Sequence, residues 1–228
     1  MKRSFPILAI ITALLLSFAL YEALIGAPTE RTMGDVQRIF YYHVPSAWTA
    51  FVLFLINFVS SVIYLVRRNI KADVLALVSA EVGVVFCTVV MVTGPIWARP
   101  VWGIWWAPGD IRLTTTLVLW LIYISYLVLR RFSTSGQTPV VAAVVAIFGA
   151  LDVPLVYFSI WFFRTQHPSP VIGGGGSLDP RMAQVLLINW AAFMCLAWLL
   201  CWTRYRLEVL KREVEEAQAL ESLLEGSR

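Results

Sequence analysis

Residues 74–129 read VLALVSAEVGVVFCTVVMVTGPIWARPVWGIWWAPGDIRLTTTLVLWLIYISYLVL. Two apolar runs, about 74–96 and 113–129, flank a short stretch crowded with indoles, and that pattern decides the fold. A membrane-crossing helix needs roughly 20 apolar residues. Four more such stretches, at about 5–25, 46–66, 138–163 and 183–203, bring the total to six. With 59% hydrophobic and 14% charged residues over 228 positions and a mean hydropathy of +0.75, the chain is too apolar for a soluble globular domain. The expected fold is an all-α integral membrane protein with six transmembrane helices. The first run follows Met1-Lys2-Arg3, as a signal peptide would. It is longer than a signal core and no clear cleavage site precedes Gly26-Ala27, so it is read as a span.

Basic residues set the orientation. With the N-terminus inside, the inner side receives Lys2, Arg3, Arg67, Arg68, Lys71, Arg130, Arg131, Arg204, Arg206, Lys211 and Arg212. The outer side then holds only Arg31, Arg38, Arg99, Arg112, Arg164 and Arg181, which predicts N-in and C-in termini. The net charge of +4 therefore reflects topology in a bilayer and implies no nucleic-acid partner. Cys87, Cys195 and Cys201 all fall in predicted spans, with no C-x-x-C and no C-x-x-C-H. That pattern argues against thiol exchange and against covalent attachment of a c-type haem.

The inner connections, around 67–73 and 130–137, are short and basic. The three outer ones are longer than linkage needs: about 26–45, which contains APTERTMGDVQRIFYYHVP; 94–113, the Trp-rich segment; and about 164–182, RTQHPSPVIGGGGSLDPRM. Long connections with specific chemistry on one face of a rigid scaffold are where function concentrates, so the active face is expected outside. Trp97, Trp102, Trp105 and Trp106 place four of the ten tryptophans in one connection. An interfacial belt scatters one or two rings per helix end, whereas this density suits a platform for a large planar ligand. Gly173–Gly176 make a pliable run, either a lid or a plain linker.

His43 and His167 are the only histidines, and both fall in outer loops beside the Trp segment. Zinc would want three or four ligands, and Asp110 with two imidazoles makes a thin set. Two imidazoles on opposite faces of haem complete a six-coordinate iron, which fits a site walled by indoles. The haem propionates would need cations, and Arg38, Arg99, Arg112 and Arg164 are placed to serve, Arg112 foremost. Asp110, two residues from Arg112, is expected to orient that guanidinium or an indole N–H. Glu81, Asp152, Asn57 and Asn189 lie within spans and must face other helices or polar cavities. After the last span, residues 204–228 carry Leu207, Leu210, Val214, Ala217 and Leu224 at helical spacing, with Glu208 and Arg212 four apart. This tail is expected to form an inner amphipathic helix, or else a solvated one, beside a membrane domain of residues 1–203.

The stretches RIFYYHVPSAW (38–48), TGPIWARPVWGIWWAPGDIRLT (93–114) and VPLVYFSIWFFRTQHP (153–168), in this order within a six-span layout, resemble the CcmC family of haem-handling proteins. The resemblance implies haem b, held non-covalently at the outer face of a bacterial inner membrane. His43 and His167 would be its axial ligands, and Trp102, Trp105, Trp106, Asp110 and Arg112 would belong to the tryptophan-rich motif around it. It also implies transfer of haem to the periplasmic chaperone CcmE, alongside ABC-transporter subunits and a small single-span subunit, without turnover. A cytochrome c synthase component and a transporter subunit using Asp152 and Glu81 are the alternatives. Two departures stand out. Ala107-Pro108-Gly109 separate Trp106 from Asp110 where relatives have a further Trp, so one stacking surface is either lost or replaced by Trp97. Gln166 precedes His167 where relatives have Leu before the histidine and Gln after it.

Overall fold

The computed structural model describes residues 4–163, 165–168 and 178–226. Arg164 and the Gly173–Gly176 run lie outside the described residues. Six helices are long and apolar enough to cross a membrane. They are α1 (Ser4–Tyr21, continued by a π turn over Glu22–Gly26), α2 (Phe40–Arg67, preceded by a 3₁₀ turn over Asp35–Ile39), α3 (Ile70–Trp102), α4 (Ile111–Phe132), α5 (Thr138–Phe162) and α6 (Pro180–Gly226). The apolar stretch of α3 is 61% buried in the bundle against 17–39% for the other five, so α3 is the central helix. The others turn apolar faces outward, as helices solvated by lipid do.

Local chemistry closes the turns. Asn69 caps α3, its side chain accepting from the N–H groups of Lys71 and Ala72 at 2.9 and 3.3 Å. Arg68 takes a left-handed φ of 51° and donates its N–H to the Tyr64 carbonyl at 2.8 Å, ending α2. Gly103, at φ 76°, ends α3 by donating its N–H to the Arg99 carbonyl at 3.1 Å. Packing then depends on absent side chains: a Cβ on Gly83 would stand 2.7 Å from the Phe54 ring, and one on Gly149 2.9 Å from Ile122. With α3 this close, Phe54 stacks on Tyr123 at 3.7 Å between ring centroids. Two buried amides donate to backbone carbonyls inside the bundle: Asn57 to Ala76 at 2.7 Å, and Asn189 to Val185 and Ala19 at 2.9 and 3.3 Å.

The structure corrects one sequence expectation and extends another. The helices reach further toward the tryptophan face than hydropathy suggests: α2 starts at Phe40 and α3 runs on to Trp102 through Pro95 and Pro100. His43 and Trp97 are thus helical, and the open connection shrinks to residues 103–110. Hydropathy falls where Arg99 and the prolines appear, but an interfacial backbone still does best satisfying its hydrogen bonds within a helix, and neighbouring helices tolerate the two gaps that proline leaves. Second, α6 shows no break at residue 204. Its 47 residues span roughly 70 Å, more than twice the hydrocarbon thickness. The beginning of the tail is bound to the bundle. Arg204 grips Glu81 through two bonds of 2.8 Å, and Arg212 pairs with Asp73 at 3.0 Å and with Glu208 at 2.9 Å. Asp73 also receives Arg130 of α4. Glu81 is therefore occupied by Arg204, whereas one oxygen of the buried Asp152 has no partner among the described residues. Leu207, Leu210 and Val214 remain about half exposed.

Candidate functional site

A cleft of about 160 Å³ opens at the tryptophan face between α2, α3, α4 and α5. Both Trp102 and Cys87 line it, so it follows α3 for roughly 22 Å at 1.5 Å of rise per residue. The walls are mainly apolar. His43, His167 and Arg112 supply ionisable groups near the mouth, and Trp97, Trp102 and Trp106 supply the indoles.

His43 is buried on α2 and held from α3. Its Nδ1 lies 2.9 Å from the Thr93 hydroxyl, whose own proton is directed to the Val89 carbonyl at 2.7 Å. With that proton committed, the hydroxyl oxygen accepts from Nδ1–H, leaving the lone pair on Nε2. The Trp97 ring packs edge-on at 5.8 Å and 72°, fixing the imidazole plane. His167 arrives from the α5–α6 connection, and its Nδ1 lies 3.0 Å from the Pro168 carbonyl. A carbonyl only accepts, so here too Nδ1 carries the proton and Nε2 is free to ligate. Loss of water around His167, and then the nearby Arg112 charge, lower its pKa to about 4, so the ring is neutral at pH 7. The two imidazole centroids are 6.4 Å apart with planes 33° from parallel. Two imidazoles bound to one metal through facing nitrogens at ~2 Å would have centroids ~6 Å apart. The α3 backbone passes close to the His43 ring at Gly94, where a Cβ would stand 3.5 Å from Cε1, an ordinary van der Waals contact.

Asp110 does something other than orient Arg112's guanidinium or an indole. One carboxylate oxygen caps α4, accepting from the backbone N–H groups of Arg112 and Leu113 at 3.0 and 3.2 Å. The other accepts from the Thr165 hydroxyl at 2.5 Å and the Gln166 N–H at 2.8 Å. Burial opposes the negative charge, but these four bonds outweigh it and hold the carboxyl below its usual pKa. Two of the proposed propionate partners are engaged elsewhere. Arg38 donates to the Ala23 and Ala27 carbonyls at 2.9 and 3.4 Å and to Thr29 at 3.2 Å, folding the first connection. Arg99 donates to the Gly103 carbonyl at the end of α3. Arg112 lines the cleft, and its buried Nη1 has no partner among the described residues.

The tryptophans divide. Trp97, Trp102 and Trp106 line the cleft, whereas Trp105 is 59% exposed and stands outside it. Sequence reasoning missed Thr93 and Thr165, which mount the histidines, and Trp48 and Tyr157, which line the same walls. Trp48 lies within the quoted 38–48 stretch, five residues after His43. That spacing places it within about one and a half helical turns of the imidazole. Among the described residues, no group of three or more His, Cys, Asp or Glu is arranged to hold a metal ion. Two imidazoles 6.4 Å apart would suit a metal that brings its remaining ligands with it.

Six membrane-length helices mark an integral membrane protein, and two imidazoles line its mainly apolar cleft. The chain belongs to the family described as Heme exporter protein C, whose model matches residues 1–220. It is 34% identical to Heme exporter protein C of Bradyrhizobium diazoefficiens over 223 residues, which cover 96% of this chain and 84% of that one. It is 29% identical to the protein of the same name in Escherichia coli K12 over 224 residues, 98% and 91% of the two chains. A ccmC-like mitochondrial protein of Marchantia polymorpha, whose name refers to cytochrome c biosynthesis, is 31% identical over 80% of this chain and 78% of its own. The family's business is haem handling in cytochrome c biogenesis.

Proposed function

We propose that the chain holds haem b non-covalently in this cleft, with Nε2 of His43 and Nε2 of His167 as axial ligands. It presents that haem at the periplasmic face of a bacterial inner membrane. The observation that carries this reading is the pair of imidazoles, 6.4 Å apart, each with its Nδ1 already engaged. Trp97, Trp102 and Trp106 form the surrounding wall, and Arg112 offers its unpartnered Nη1 to a propionate. Haem is cargo, and the chain acts by binding and release without turnover. Its receiver is the chaperone CcmE, and it works with ABC-transporter subunits and a small single-span subunit. The orientation follows from the arginines and lysines gathered at the face opposite the cleft. A transport path through Glu81 is disfavoured by its pairing with Arg204.

The test is the absorption spectrum of the purified protein with haem. A six-coordinate bis-histidine spectrum is expected. His43→Ala and His167→Ala should each convert it toward a five-coordinate form, and added imidazole should restore the sixth ligand. Both variants keeping an unchanged spectrum at full occupancy would exclude these two residues as ligands.

A further inference from the structure

We propose that Asp110 is the positioning residue of His167: it makes no contact with haem, and sets the ligand by tying its loop to the first turn of α4. Three observations converge on this role. The carboxylate is buried at the point where α4 begins, and its two oxygens face different partners. Oδ1 holds the Arg112 and Leu113 N–H groups, whereas Oδ2 holds the Thr165 hydroxyl and the Gln166 N–H. The Thr165 oxygen then accepts the N–H of His167 at 3.0 Å, so one chain of bonds runs from helix cap to ligand backbone. Asp110 does not appear among the residues lining the cleft, while Arg112 and His167 on either side of that chain do. The extra spacing at Ala107-Pro108-Gly109 serves the same end. The buried Ala107 and the Asp110 N–H to Ala107 carbonyl bond of 3.0 Å turn the chain sharply, and the carboxylate emerges at the α4 terminus instead of in the indole wall.

With haem held between the two histidines as proposed above, the mount separates from the helix cap in two variants. In Asp110→Asn the amide keeps one carbonyl oxygen. The favourable orientation turns it to the two N–H groups of α4 and leaves an NH₂ facing the Gln166 N–H, so the cap survives, the Gln166 bond is lost and the Thr165 hydroxyl keeps contact only by turning from donor to acceptor, which weakens the tie. Thr165→Val leaves Asp110 and the cap untouched and removes the hydroxyl that links it to His167. Outer partners of metal-binding histidines typically change affinity 10–100-fold, and a loss of that order in haem affinity is expected for both variants. Their spectra should resemble that of His167→Ala, and imidazole should restore six-coordination. Adding Asp110→Asn to His167→Ala should change nothing further. Hydrogen exchange of the haem-free protein gives an independent reading: the amides of Gln166 and His167 should be protected in the parent and exchange faster in both variants. Absence of a bis-histidine spectrum in the parent would defeat the haem assignment and leave the exchange experiment to decide the mount. Parental exchange at 166–167 in both variants, or a parental six-coordinate spectrum in both, would overturn the role given to Asp110.

Discussion

The two histidine rings lie 6.4 Å apart but are mounted by different physics. His43 sits on a helix, 8% exposed, with α3 supplying both its hydrogen-bond acceptor and, through Trp97, the packing that fixes its plane. His167 sits on a connection outside any helix, and its backbone is tied to the bundle through Thr165 and Asp110. Removing one bond at His43 leaves a ring still clamped between two helices. Removing one at His167 releases a segment. A site that must both hold and surrender a ligand is served by such asymmetry, because the α2–α3 wall keeps its geometry while the α4 wall and its loop can yield.

Arg112→Gln strikes the α4 wall hardest. A buried guanidinium nitrogen without a hydrogen-bond partner is costly in the empty protein, so the variant should unfold at the same temperature or higher, as a melting curve would show. Haem retention should nevertheless fall about 10- to 100-fold, in line with about 1.5–3 kcal/mol for a hydrogen bond to a charged group. A melting temperature lowered in step with haem loss would instead make Arg112 a structural residue. Thr93→Val tests the other wall. It removes the acceptor that fixes the His43 tautomer but leaves the helix contacts, and a loss of about tenfold, at the low end for outer partners of metal-binding histidines, is expected in a haem titration. If Thr93→Val cost more than Thr165→Val, the asymmetry between rigid and yielding mounts would be reversed.

The helices were the most legible part of the sequence, because bilayer thickness imposes a length on every apolar run. Their ends were less so: hydropathy stops where polar residues and proline begin, while the backbone's need for internal hydrogen bonds carries α2 and α3 into the interface and takes His43 with them. The histidines and the tryptophan density stand out as residue types. What Asp110 does was hidden, since its loop partners Thr165 and Gln166 are 55 and 56 residues away and no spacing rule links them. The fates of Arg38 and Arg99 were hidden for a similar reason. Carbonyls compete for guanidinium groups at every helix end, and these acceptors belong to the backbone, which sequence does not mark.

The smallest expected effect separates two neighbours in that indole wall. Trp105 and Trp106 are adjacent in sequence, yet only Trp106 lines the cleft, and Trp105 is 59% exposed. Leucine at either position keeps the segment apolar and removes one aromatic face. At Trp106 the ligand should lose an aromatic contact worth about 1 kcal/mol beyond area burial, which corresponds to about fivefold in haem affinity. At Trp105 haem affinity should stay at the parental value, because the ring there faces lipid headgroups or solvent, where leucine serves nearly as well. Haem titrations of the two single variants, with membrane insertion checked for each, would read the difference. Equal losses at both positions would mean that Trp105 swings into the cleft when haem binds. In that case the α4 side of the site would yield through its tryptophan connection as well as through the His167 loop, and the contrast with the α2–α3 wall would be sharper still.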